Sequence, residues 1–194
     1  LWYKDEVDAN KNPTGKRVTT NDYDSADYYY INKSSLPKVY GGFNTSLSWK
    51  GFDLSAIFAY SIGGYIYNRD VTMILHNGSL EGRDWSTEIL RRWTPDNRYT
   101  DVPALSTTSN DWNSASTRFL QNNSYMRLKN LTLSYNLPKQ WISKLSLSSV
   151  QVYVQGDNLF TIHRNQGLDP EQGITGITYY RYPAMRTISG GINV

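Results

Sequence analysis

The stretch from Asn123 to Pro138 sets the pattern of the chain. In its second half Leu131, Leu133, Tyr135 and Leu137 alternate with Thr132, Ser134 and Asn136. A period of two means a strand with one apolar face. Upstream, Met126 and Leu128 alternate with Arg127 and Lys129 in the opposite phase. Two phases in one strand require an extra residue, so a β-bulge is predicted near Lys129–Asn130. The run is far longer than the roughly five or six residues usual in soluble sheets, and it suits a strand that crosses a bilayer at a tilt.

Four further runs share the pattern. Val39, Phe43, Thr45, Leu47 and Trp49 oppose Tyr40, Asn44, Ser46 and Ser48, and Phe52, Leu54, Ala56, Phe58, Tyr60 and Ile62 form one face of the next run. Val150, Val152, Val154, Phe160 and Ile162 oppose Gln151, Tyr153, Gln155 and Asp157. Ala184, Ile188, Ile192 and Val194 oppose Thr187, Ser189 and Asn193. The prediction is five antiparallel strands near 38–50, 52–68, 121–137, 149–162 and 183–194, in meander order.

Connections alternate between short (Lys50-Gly51 and 138–147) and long (69–120 and 163–182), as in an outer-membrane barrel with short periplasmic turns and long extracellular loops. On that reading Leu47, Leu54, Phe58, Leu133, Val152 and Ile192 face lipid. Ser46, Ser55, Ser134, Tyr153, Gln155, Asp157 and Asn193 face the lumen. Trp49 and Phe52 suit the aromatic girdle. Asp84–Trp93 reads as a short helix capped by Asp84 and stopped before Pro95, with Trp85, Ile89 and Trp93 on one stripe. Residues 1–37, apart from a strand end at Trp2–Tyr3, read as loop. Trp85, Arg92, Trp93, Trp112, His163 and Arg164 are the loop residues suited to contact a substrate or a partner protein, since rings stack on flat solutes and Trp and Arg are favoured hot spots.

Composition narrows the chemistry. A net charge of +3 gives no basic face for nucleic acid, and the absence of Cys removes disulfides and thiolate sites. A mean hydropathy of −0.58 and the lack of any long apolar run exclude a spanning helix but not a barrel, whose lumen and loops are polar. His76 and His163 have no nucleophile–base constellation around them, so no enzyme activity, catalytic residue or cofactor is expected. Asp8, Asn10 and Asn12 have calcium-loop spacing, but Pro13 and Thr19 stand where such a loop needs Gly and Glu, so no metal is expected. Five Asn-x-Ser/Thr matches (Asn32, Asn44, Asn77, Asn122, Asn130) are what chance gives in a chain rich in Asn, Ser and Thr. The start, Leu-Trp-Tyr-Lys-Asp-Glu, is no signal peptide, and the chain reads as a piece of a longer polypeptide.

Five ordered motifs carry a family resemblance: Trp49-Lys50-Gly51-Phe52-Asp53-Leu54-Ser55, Arg92-Trp93-Thr94-Pro95-Asp96, Asn123 to Leu133, Gly156-Asp157-Asn158-Leu159-Phe160-Thr161, and Tyr182 to Val194. Residues 38–194 resemble the C-terminal barrel portion of SusC-like (SusC/RagA) TonB-dependent outer-membrane transporters. The family usually ends on an aromatic residue, where this chain has Val194. The resemblance implies an all-β fold, an antiparallel transmembrane β-barrel of 22 strands of which 1–194 holds the last five and their loops, without the plug domain. It implies import of a nutrient, an oligosaccharide before a peptide, across the outer membrane of a Gram-negative bacterium. The implied partners are a SusD-like surface lipoprotein, outer-membrane lipid, and TonB through a missing N-terminal part. The alternative is a soluble, secreted β-sheet module that binds carbohydrate on exposed Tyr and Trp.

Overall fold

The computed structural model describes all residues except 1, 77–81, 107–112, 146, 166, 168, 172–174 and 179. Two compact units emerge: residues 1–33 with 68–120, and residues 34–67 with 121–194.

The first unit opens with a hairpin, β1 (Trp2–Val7) against β2 (Pro13–Thr20), where the sequence pattern predicted loop. Its half-buried side is Trp2, Lys4 and Glu6, so a true two-residue period is carried by charged side chains and leaves no hydropathy signal. The hairpin closes on Asp8, whose carboxylate accepts the backbone N–H of Asn10 (2.8 Å) and of Asn12 (2.9 Å). The calcium-like spacing of Asp8, Asn10 and Asn12 is thus the spacing of an Asx-type turn. Helix α1 (Arg69–Ile74) starts at Asn68, whose side chain accepts the Val71 N–H at 3.0 Å. A small core of Leu75, Ile89, Val102 and Phe119 is buried in this unit.

The helix predicted at 84–93 is shorter and tighter than expected. It is a 3₁₀ turn over Thr87–Arg91, capped by Ser86 rather than Asp84. It ends because Arg92 turns extended, before Pro95 is reached. At 3₁₀ pitch the i, i+4, i+8 stripe does not form. Ile89 is buried, whereas Trp85 and Trp93 lie outside the helix and are 41% and 44% exposed.

In the second unit β3 (Val39–Trp49) and β4 (Phe52–Ile62) are joined by Lys50 and Gly51, both at positive φ (49° and 86°). That is the dihedral signature of a two-residue I′ hairpin turn. Short strands β5 (Tyr65–Tyr67) and β6 (Leu120–Asn122) form a small pair of their own. β7 (Tyr125–Asn136), β8 (Gln151–His163) and β9 (Thr187–Asn193) complete a five-stranded antiparallel sheet in the order β3-β4-β7-β8-β9. The meander agrees with the predicted one.

The bulge also lies where the phase change put it. Ile57 pairs with Asn130 and Phe58 with Leu128, so Lys129 is the extra residue against β4. Against β8, Leu128 pairs with Phe160 and Asn130 with Asp157, leaving Asn158 and Leu159 opposite Lys129. Asn158 takes the left-handed conformation (φ 52°) that such a bulge needs. The β7–β8 connection carries a short helix, α2 (Lys139–Ile142), with Ile142 buried. Among the described residues no helix is long and apolar enough to cross a membrane, which says nothing of strands.

Candidate functional site

The register sorts the sheet into two faces. Directly paired residues share a face, so Leu47, Leu54, Leu133 and Val154 form one row. Trp49, Phe52, Tyr135, Val152 and Ile192 form the row next to the tight turn. A third row holds Phe43, Phe58, Leu128 and Phe160, with Phe43 and Phe58 stacked at 4.7 Å. This face keeps large apolar groups in the open: Leu47 and Ile192 are each 65% exposed. A water-soluble sheet covers such a face with a second layer.

The opposite face is polar and internally hydrogen-bonded. Its rows are Ser46, Ser55, Thr132, Gln155 and Ser189, then Ser48, Asp53, Ser134, Tyr153 and Gly191. Asn130 Nδ2 donates to Asp157 Oδ1 (2.8 Å), Asn136 Nδ2 to Asp53 Oδ2 (2.7 Å), and Asn193 Nδ2 to Gln151 Oε1 (3.3 Å). Ser46, Ser55, Ser134, Tyr153, Gln155, Asp157 and Asn193 all share this face. Ile57 is the one large aliphatic residue of β4 on it, paired with Asn44 and Asn130.

Toward the far end of the same face sits Arg127, 3% exposed. Its Nε donates to Thr161 Oγ1 (2.9 Å), Nη1 to Glu171 Oε2 (2.7 Å) and Nη2 to Asp169 Oδ1 (2.5 Å). Lys129 Nζ reaches both Glu171 oxygens at 2.6 Å. Asp169 in turn accepts the N–H groups of Glu171 (2.9 Å) and Ala184 (2.6 Å). Burial alone would raise the Asp169 carboxyl. The Ala184 and Glu171 N–H groups and the Arg127 guanidinium outweigh that effect and hold it below the ordinary carboxylate value.

The first unit contains a cleft of about 540 Å³ lined by Trp2, Tyr3, Tyr23, Tyr28, Arg17 and Arg118 among others. Its walls are fixed by local contacts. Trp2 meets Tyr23 edge-on at 4.9 Å, Arg17 lies 3.9 Å over the Tyr29 ring, and the Tyr29 hydroxyl donates to Asp5 at 2.8 Å. Desolvation lowers the Arg118 pKa at this cleft, against the smaller attraction of Asp101 and Glu88.

The predicted loop residues are divided between the two units. Trp85 donates from Nε1 to His76 Nδ1 (3.1 Å) and so braces its own loop. Arg92 is half-buried, and Trp93 is held through its backbone N–H to Val102 O (2.8 Å). His163 is the last residue of β8 rather than a loop residue, and Arg164 follows it exposed. Those two belong to the second unit, and Trp85, Arg92 and Trp93 to the first. Trp112 lies outside the described residues.

No protein-family model matches the chain. Curated proteins and solved structures do. TonB-dependent receptor P3 of Formosa agariphila is 34% identical over 79% of this chain and 16% of its own length. TonB-dependent receptor SusC of Bacteroides thetaiotaomicron is 29% identical over 97% of this chain and 17% of its own. The RagAB peptide transporter structure superposes with a TM-score of 0.79 at 35% identity, over 96% of this chain and 20% of that one. The chain belongs to the SusC-like TonB-dependent receptors. It spans less than a fifth of the curated relatives it matches. The family explains the open apolar face: the sheet is part of a β-barrel, and the soluble-module alternative is set aside.

Sequence reasoning missed Arg127 in this SusC-like sheet and the tyrosine cleft of the first unit. Arg127 carried a readable signal, a cation in phase with the polar face of a strand, but its partners Asp169 and Glu171 are more than forty positions away, roughly the separation at which pattern reading gives no pairing. The cleft was announced only by Tyr28-Tyr29-Tyr30.

Proposed function

We propose that the chain supplies part of the wall and two outward loops of a Gram-negative outer-membrane barrel that imports a nutrient under TonB drive. The observation that carries this reading is the five-stranded meander with one open apolar face and one hydrogen-bonded polar face. Lipid takes the first face, and the second, with Ser46, Ser55, Ser134, Tyr153, Gln155, Asp157 and Asn193, lines the lumen. The excursions after β4 and after β8 leave from one end of the sheet, since Ser61 and His163 both pair with Tyr125. We assign that end to the cell exterior, where a SusD-like lipoprotein closes over the barrel.

The solute is an oligosaccharide or a peptide. The tyrosine cleft supports a flat-faced oligosaccharide, while the likeness to the RagAB peptide transporter supports a peptide. The test is uptake in cells lacking the native transporter, with surface abundance measured in parallel. Trp93→Ala with Arg92→Ala should leave abundance normal while lowering uptake and lid co-purification. Normal uptake and normal co-purification at normal abundance would remove Trp93 and Arg92 from the contact surface.

A further inference from the structure

The connection between β8 and β9 is tied to the polar face of the sheet chiefly around Arg127. Arg127, on β7, engages Asp169 and Glu171 on the near limb of that loop. Asp169 uses its other oxygen to accept the Ala184 N–H on the far limb. One carboxylate therefore joins strand, near limb and far limb. Its pair with Arg127 is shut from water, with side-chain exposures of 4% and 6%. Lesser ties flank it: Asn123 Nδ2 donates to Pro170 O (2.8 Å), Asn165 Nδ2 to Asn123 Oδ1 (2.9 Å), and Asn158 Nδ2 to Met185 O (3.1 Å).

A buried guanidinium in a strand is costly unless it is paired and hydrogen-bonded. Here Nε, Nη1 and Nη2 all have acceptors, two of them carboxylates from the loop. If the loop left, Arg127 would exchange two ion pairs for water, and the far limb would lose its anchor at Ala184. We propose that Arg127 is a latch that holds Asp169, Glu171 and, through Asp169, Ala184 against the polar face of β7 and β8, and so a positioning residue that fixes both limbs of the β8–β9 connection at the channel wall. The latch needs a fork as well as a charge, because two carboxylates are held at once. It does not depend on which solute passes.

The test uses the full-length transporter in detergent, with any cysteine outside residues 1–194 replaced by serine and a nitroxide on Tyr182→Cys, a site 88% exposed on the far limb of a segment without cysteine. No solute is needed, so failure of the import reading leaves the outcome interpretable. With Arg127 present the label should tumble slowly. Arg127→Gln should make it severalfold faster, and Arg127→Lys should fall between, since lysine restores charge without the fork. If Arg127→Gln does not assemble, Asp169→Asn with Glu171→Gln unties the loop from its own side and leaves β7 intact. A label that stays as slow as in the parent in assembled Arg127→Gln or in the loop-side double variant overturns the latch. So does full restoration by lysine, which would mean that charge alone suffices.

Discussion

The molecule contains two hairpins built on opposite principles. β3 and β4 pair without interruption from Val39↔Ile62 to Trp49↔Phe52, and their turn is encoded by backbone dihedrals at Lys50 and Gly51. β1 and β2 lose register between Asp5 and Val7, and their turn is held by one carboxylate, that of Asp8. The first hairpin has an apolar face that a register slip would turn to the lumen, so its pairing is strongly specified. The second is held by polar links such as Thr14 Oγ1 to Glu6 Oε2 (2.7 Å) and Tyr29 to Asp5. Hydropathy alternation therefore reports what a strand faces, not whether a strand exists.

That difference is testable by charge. Phe58→Lys, on the apolar face in the middle of β4, should cost about 2–4 kcal/mol near the bilayer midplane, whereas Val7→Lys, at a site already 54% exposed, should stay within about 0.5 kcal/mol. Denaturant titration of the full-length barrel in lipid vesicles measures both. Depth adds a refinement, since Val152 lies in the row of Trp49, Phe52 and Tyr135 beside the turn. Lysine there should cost only about 0–1 kcal/mol, as expected near an interface. Equal costs at Phe58 and Val7 would erase the distinction between the hairpins.

The turns separate next. Gly51→Ala should cost about 1–2 kcal/mol, because an L-residue resists the left-handed conformation. An added Cβ would also lie 3.1 Å from the Asn136 carbonyl oxygen. The same vesicle titration should register this loss, and a neutral result would mean that the β3–β4 turn is not set by its dihedrals.

These cases mark what was legible. The meander, the bulge at Lys129 and the two faces were readable because Leu, Val and Phe recur every second residue with one phase error. The β1–β2 hairpin was not, because Lys4 and Glu6 occupy its half-buried side. The helix near Trp85 was read too long because its stripe assumed a pitch of 3.6, where Ser86 starts a tighter turn. Arg127 was legible as a polar residue but not as a latch, since ion pairs across a loop leave no periodic trace.

A smaller effect probes the polar links. Tyr29→Phe removes the hydroxyl that donates to Asp5 but leaves a ring for Arg17 to lie on. The loss should be small, because the hydrogen bond is exposed and water replaces it readily. Faster amide exchange confined to β1 and β2, with β3 and β4 unchanged, is the expected readout. An unchanged β1–β2 would mean that the stacking, not the hydrogen bond, holds the segment.

The smallest effect distinguishes the turns by pH. The Asn12 N–H lowers the Asp8 pKa below its ordinary value of 3.8. Desolvation opposes this, and the Asn10 N–H and the Asn12 side chain add to the lowering. A carboxyl whose folded pKa is depressed contributes its stabilisation above the ordinary value and loses it as the pH falls through the folded one. The β1–β2 turn should therefore stay closed near neutrality and loosen only in acid below the usual carboxylate range. No carboxylate closes the Lys50–Gly51 turn in the same way, so it should not respond. Amide chemical shifts of isotope-labelled asparagine, followed from about pH 6 to about pH 2, should move at Asn10 and Asn12 with an Asp8 titration below the ordinary aspartate range. Asp8→Ala should abolish that titration and leave both amides in their acid-state positions throughout. Shifts at Asn10 and Asn12 that titrate at or above the ordinary aspartate value would mean that Asp8 does not hold the turn.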